Sequence, residues 1–149
     1  MCKNTQNGKI MLQRKQKGVN KVRRIVVSIQ NGLLAEAIIN LLKQSGEFLP
    51  IRAVDNGKSR LVSTCVTCVP DIVLMETSHA PDNTLEKRLD QVGQIRRMVP
   101  NCKAVLLCDE NTSPQIAKEL IEAKKEGKID AFYYSSITGK YLIAALYAL

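Results

Sequence analysis

The chain has no run approaching the roughly 18 consecutive apolar residues that a membrane span requires. Its first residues are basic and polar with no apolar stretch behind them, which does not fit a secretory signal. The five cysteines are an odd number and too few for a disulfide-stapled scaffold of this length, so free thiols and a reducing, cytoplasmic setting are expected. Glycine-rich phosphate cradles of the GxGxxG or Walker type are missing, leaving a nucleotide cofactor without support. The only histidine among 149 residues is His79. No serine or cysteine partner is indicated for it, and a solvated loop position is the better reading than acid-base catalysis.

Acidic residues are absent from one end. Residues 1–24 hold eight Lys and Arg and no Asp or Glu, while the remaining 14 basic residues are matched by all 14 acidic ones. The formal net charge of +8 therefore belongs to an N-terminal segment, and a basic nucleic-acid-binding face on the rest of the chain loses its main support. Residues 1–22 are rich in Lys, Gln, Asn and Gly around one apolar trio, Ile10, Met11 and Leu12, and read as a basic arm. Such an arm can contact nucleic acid, an anionic surface or an acidic partner through counterion release. It lacks the interleaved aromatics that would stack on bases, and a solubilising tail explains it equally well.

What is present is a globular composition, 45% hydrophobic and 24% charged, of about one domain's length. From residue 23 onward, short apolar runs alternate with amphipathic stretches. Strands are expected at 25–29, 49–54, 72–75, 104–107 and 131–134. Helices are expected between them: 33–42 before Gly46, 59–68 before Pro70, a third from a Thr84 cap to about 98, a fourth from Ser113-Pro114 to near Gly127, and a last at 139–149 capped by Thr138. An Asp55-Asn56-Gly57 turn separates the second strand from its helix. Five β-α units with short connections require a parallel sheet covered on both faces, a three-layer α/β sandwich. A ligand site in such a fold lies beyond the C-terminal ends of the strands.

Several segments in this order resemble the receiver domain of two-component response regulators, most closely the receivers that precede LuxR-type DNA-binding domains. They are Arg24-Ile25-Val26-Val27, Ala53-Val54-Asp55-Asn56-Gly57, Pro70-Asp71-Ile72-Val73-Leu74-Met75 and Pro100-Asn101-Cys102-Lys103-Ala104-Val105-Leu106-Leu107. The resemblance covers residues 24–149 and implies a flavodoxin-like sheet of strand order 2-1-3-4-5. It also implies a signalling module that is no enzyme and acts through an output domain, a protein partner or a homodimer.

Receiver chemistry needs two acidic residues after the first strand to hold Mg²⁺, an Asp ending the third as phosphoacceptor, Thr or Ser ending the fourth and Lys ending the fifth. A divalent cation and a lysine offset the anionic charge that phosphoryl transfer brings together. The matching positions here are Ile29 and Gln30, Glu76, Cys108 and Ser135, with Asp109 one residue further on. Every chemical position is changed, so neither a metal site nor a cofactor is expected. Glu is also one methylene longer than Asp, and misplacement of about 1 Å can cost on the order of a hundredfold in rate. Conventional aspartyl phosphorylation is not expected; a phosphoacceptor using Glu76 or Asp109 is the alternative. Glu76 can also be read as an imitation of phosphoaspartate. Against this, it carries one charge where a phosphoryl group carries nearly two, and Ser135 replaces the rewarding lysine. A solvated residue at a strand end is the plainer reading.

Cys65 and Cys68 form a CxxC on the last turn of the second helix, at the end of the sheet where Cys102 lies. Cys108 is at the other end, about 15 Å or more away along a strand, so a four-cysteine zinc site cannot close. The pair also lies at the wrong end of its helix for a dipole-activated redox centre, and buried structural thiols are favoured. Five of the six aromatics, Phe132, Tyr133, Tyr134, Tyr141 and Tyr147, fall in the last strand and helix. The resemblance makes that edge a dimer or partner surface; core filling is the simpler alternative.

Overall fold

Five strands and five helices alternate along the chain in the computed structural model, which describes residues 21–53, 60–78, 80–81, 83–109 and 111–149. The units are β1 (Arg23–Ser28), α1 (Gly32–Ser45), β2 (Phe48–Arg52), α2 (Leu61–Cys68), β3 (Ile72–Thr77), α3 (Leu85–Met98), β4 (Lys103–Cys108), α4 (Pro114–Lys125), β5 (Ala131–Tyr134) and α5 (Gly139–Tyr147). All strand pairs are parallel, in the order β2-β1-β3-β4-β5, which is the expected flavodoxin-like sheet. Among the described residues no helix is long and apolar enough to cross a membrane. The expected Asp55-Asn56-Gly57 turn, His79 and residues 1–20 of the basic arm lie outside the described residues.

Four of the five helices start where a short polar side chain takes up a free backbone N–H, and α2 starts after Arg60 without such a cap. Asn31, Thr84, Ser113 and Thr138 accept from Leu34, Lys87, Ile116 and Tyr141 respectively, and Pro114 opens α4. α1 ends on Gly46 at φ 73°, a left-handed conformation glycine adopts without a Cβ penalty. α2 ends on Val69, also left-handed at φ 49° although β-branched. Pro50 is tolerated within β2 because that strand is at the sheet edge.

Side chains alternate across the sheet and fill two cores. Ile25, Val27, Ile29, Ile72, Leu74, Val105 and Leu107 pack with α1 and α5. Val26, Val73, Met75, Ala104, Leu106 and Cys108 pack with α2, α3 and α4. Near the chain's end, Arg23 donates to the carbonyls of Leu146, Tyr147 and Leu149 at 3.3, 2.8 and 3.4 Å. Its guanidinium lies 5.2 Å from the Phe48 ring centre and 5.6 Å from that of Tyr147. A cation at a helix C-terminus between two rings is favoured by both the helix dipole and the ring quadrupoles.

Candidate functional site

The C-terminal ends of β1 and β3 lie side by side, with Ser28 in register with Met75. Glu76, still within β3 and paired with Leu107, is half-buried, and its carboxylate is held. The Gln30 N–H donates to Glu76 Oε1 at 2.6 Å. Asn83 Nδ2 donates to Gln30 Oε1 at 3.2 Å and lies 3.5 Å from Glu76 Oε1. Asn83 is itself fixed, since its carbonyl accepts from Thr77 Oγ1 at 3.1 Å and the Ser78 N–H at 2.9 Å. Glu76, read from the sequence as a solvated residue at a strand end, is thus partly exposed and also held by its neighbours. β3 pairing continues past the last apolar side chain, and the loop before α3 folds back over the carboxylate.

Two arginines serve the same strand ends. Arg88, on α3 and only 3% exposed, donates through Nε to the Glu76 carbonyl at 2.8 Å and through Nη2 to the Ser28 carbonyl at 3.3 Å. It also reaches Ser28 Oγ at 3.4 Å and Gln91 Oε1 at 3.0 Å. Its planar fork thus joins β1, β3 and α3. Arg52, ending β2, points Nη2 at the Ile29 carbonyl at 3.5 Å, the outer limit of a hydrogen bond. Its Nε is buried without a partner.

The six positions aligned with receiver chemistry have different surroundings. Ile29 is a core residue against α1 and α5. Gln30, Glu76 and Asn83 form the network above. Cys108 is buried in the opposite core, where desolvation pushes its thiol up to about 11. Asp109 turns into its own loop, accepting the Asn111 N–H at 2.9 Å. It lines a cavity of about 180 Å³ with Thr77, Ser78, Thr84, Leu85, Thr112 and Ile116. Thr77 and Glu76 point to opposite faces of β3, so Asp109 shares the Thr77 side rather than the Gln30 network. Ser135 is exposed, and its N–H continues the sheet pairing to the Cys108 carbonyl at 2.8 Å.

The thiols near the other end of the sheet are structural in character. Burial raises Cys65 to about 12, with Cys102 and Cys68 adding repulsion, and raises Cys102 to about 11. Cys65, Cys68, Cys102 and Cys108 are all free. Among the described residues no group of His, Cys, Asp and Glu is arranged to hold a metal ion.

The aromatics expected to share one edge are divided. Phe132 and Tyr134 meet edge to face at 6.4 Å on the α4 side of β5. Tyr133 packs on the α5 side, where burial and then Tyr141 push its phenol upward. Tyr147 leaves this group and lies against Arg23, because α5 runs back down the sheet to β1.

Sequence reading missed Arg88 and Asn83. The signal for Arg88 was its place in the buried stripe Leu85, Arg88, Val92 and Ile95 of α3, where an aliphatic residue is ordinary. Asn83 sits in a loop and gave no comparable signal.

No family model matches the chain, and no curated protein does. Solved structures do match. One is the chemotaxis protein CheY4 of Vibrio cholerae, at 12% identity and TM-score 0.65 over 86% of this chain and 98% of that one. Another is a response regulator receiver domain protein from Clostridium thermocellum, at 17% identity and TM-score 0.65 over 85% and 92%. A third is an adenylate cyclase from Rhodopirellula baltica, at 14% identity and TM-score 0.62 over 85% of each chain. At these identities the likeness is one of fold, and the chain has the flavodoxin-like fold of CheY-type receiver domains.

Proposed function

We propose that the domain is a receiver-like signalling module that works by protein contact, without conventional aspartyl phosphorylation and without enzymatic activity. The observation that carries this reading is the held Glu76 carboxylate, with the Gln30 N–H at 2.6 Å and Arg88 on its own backbone carbonyl at 2.8 Å. A phosphoacceptor needs a carboxylate open to in-line attack and a divalent cation coordinated beside it. Here Ile29 and Gln30 stand where two acids would hold that cation. Positive charge near the end of β1 instead belongs permanently to Arg88 and Arg52. A carboxylate already held by neighbouring amides, with arginines at the strand ends, supports a constitutive module rather than a switch driven by phosphoryl transfer. The partner face in this reading is the β5 edge with Tyr134 and Tyr141, both exposed. It serves a homodimer or the output protein of a regulator resembling the LuxR type.

The test is a backbone amide NMR titration of the 149-residue chain with Mg²⁺ and then beryllofluoride, an analogue of the acyl phosphate. The expected result is an unchanged spectrum around Gln30, Glu76, Asp109 and Ser135. Saturable shifts converging on those residues overturn the reading in favour of a phosphoacceptor using Glu76 or Asp109.

A further inference from the structure

A cleft of about 270 Å³ runs between α3 and α4. Its floor is apolar, made by Leu85, Leu89 and Ala123, and its walls carry Glu86, Glu119, Glu122, Glu126 and Lys128. Lys128 is paired with Glu126 at 3.1 Å, so the cleft retains a net negative charge on the remaining glutamates. Its width is fixed. Arg96 near the end of α3 donates to the Gly127 and Lys128 carbonyls at 2.6 and 3.2 Å and pairs with Asp130 at 2.5 Å, which ties α3 to the turn after α4.

The complement of this cleft is present in the same chain. The stretch from Lys9 to Lys17 carries Ile10, Met11 and Leu12 beside Lys9, Arg14, Lys15 and Lys17. An apolar trio among cations matches an apolar floor between acidic walls. Reach is sufficient, because residues 13–22 can span roughly 30 Å before β1 begins, about the diameter of a small domain.

We propose that the α3–α4 cleft is an intramolecular docking site for residues 9–17, with the trio on the Leu85, Leu89 and Ala123 floor and the cations against Glu86, Glu119 and Glu122. Tethering makes the encounter local, so an interaction too weak to hold a free peptide suffices. Being electrostatic at its rim, the docking weakens with salt. It is independent of the chemistry at the strand ends.

The test compares amide spectra of the whole chain with those of a variant carrying K9E, R14E, K15E and K17E, at low salt. All four changes are remote in sequence from the cleft. The expected result is that Leu85, Leu89, Glu119, Glu122 and Ala123 shift between the two proteins while α1 and β2 coincide. Raising salt moves the native chain towards the reversed one. Adding E119K and E122K to the reversed chain restores an arm-dependent shift at the cleft, judged against the E119K/E122K chain alone. Coincident cleft resonances in the first comparison overturn the proposal. So does a shift that vanishes on dilution, or that unlabelled native chain induces in the labelled reversed variant, since the occupant is then the arm of a second copy.

Discussion

Arg88 is a long cationic side chain placed where the stripe of α3 calls for an aliphatic one, and it satisfies the Glu76 and Ser28 carbonyls at the strand ends. Removing it leaves the Glu76 and Ser28 carbonyls short of this donor in a partly buried region. Arg88→Met should cost about 2–4 kcal/mol in urea unfolding, from one to two buried acceptors at roughly 1–3 kcal/mol each. Arg88→Lys should recover less than half of that loss, because an ammonium cannot span both carbonyls with a planar fork. Equal stability of native and methionine proteins would show that the carbonyls have other partners. Val69 is the opposite case, a residue whose backbone works against it. It is 57% exposed, so little packing compensates a β-branched side chain at φ 49°. Val69→Gly should raise stability by about 1 kcal/mol, the left-handed penalty less the entropy glycine loses on folding.

At the scale of elements, the starts of α3, α4 and α5 were legible because each depends on one or two residues in sequence. Thr84, Ser113-Pro114 and Thr138 cap the helices they were expected to cap, and Gly46 closes α1. Strand ends were less legible. β3 was expected to stop at Met75, where apolar residues run out, yet Glu76 and Thr77 remain paired with Leu107 and Cys108. Ladder hydrogen bonds belong to the backbone and do not require an apolar side chain. That extension puts Glu76 within reach of the Gln30 N–H, so the site's geometry was hidden by the same ambiguity as the strand's end. The layer between the sheet and α2–α4 also buries Cys65, Cys102 and Cys108, with thiols raised from 9.0 to about 12, 11 and 11. Folded pKa values above the unfolded ones mean that the native state keeps protons the unfolded chain has lost. Stability is therefore full below pH 9 and falls as pH rises from about 9 towards 11 or 12. Each thiol contributes a slope of up to about 1.4 kcal/mol per pH unit. Urea unfolding between pH 8 and 10.5 should show this fall, reduced when Cys65 and Cys108 are both replaced by alanine. An unchanged slope would locate the alkaline loss elsewhere.

For the molecule as a whole, architecture and function separate. One fold serves a chemotaxis protein, a receiver domain protein and a protein described as an adenylate cyclase, so what distinguishes this chain is what it places at its strand ends and on its helices. Residues 1–24 carry the whole net charge of +8, and the acidic cleft lies in a remainder whose charges balance, a division that composition alone presents as simple basicity. The division of the aromatics has the same origin. Five rings close in sequence look like one surface until the fifth helix returns to β1 and carries Tyr147 to Arg23. That return also closes the polypeptide into a near-loop, because Arg23 holds the carbonyl of Leu149. A circular permutant should therefore fold. Joining Leu149 to Lys21 through about five glycines and serines spans a gap of one arginine side chain, and new ends can open between the exposed Ser135 and Ser136. Its far-ultraviolet circular dichroism and cooperative melting should match those of the same residues in native order. A molten permutant would mean that covalent order, and not only the Arg23 latch, keeps the first strand and the last helix together.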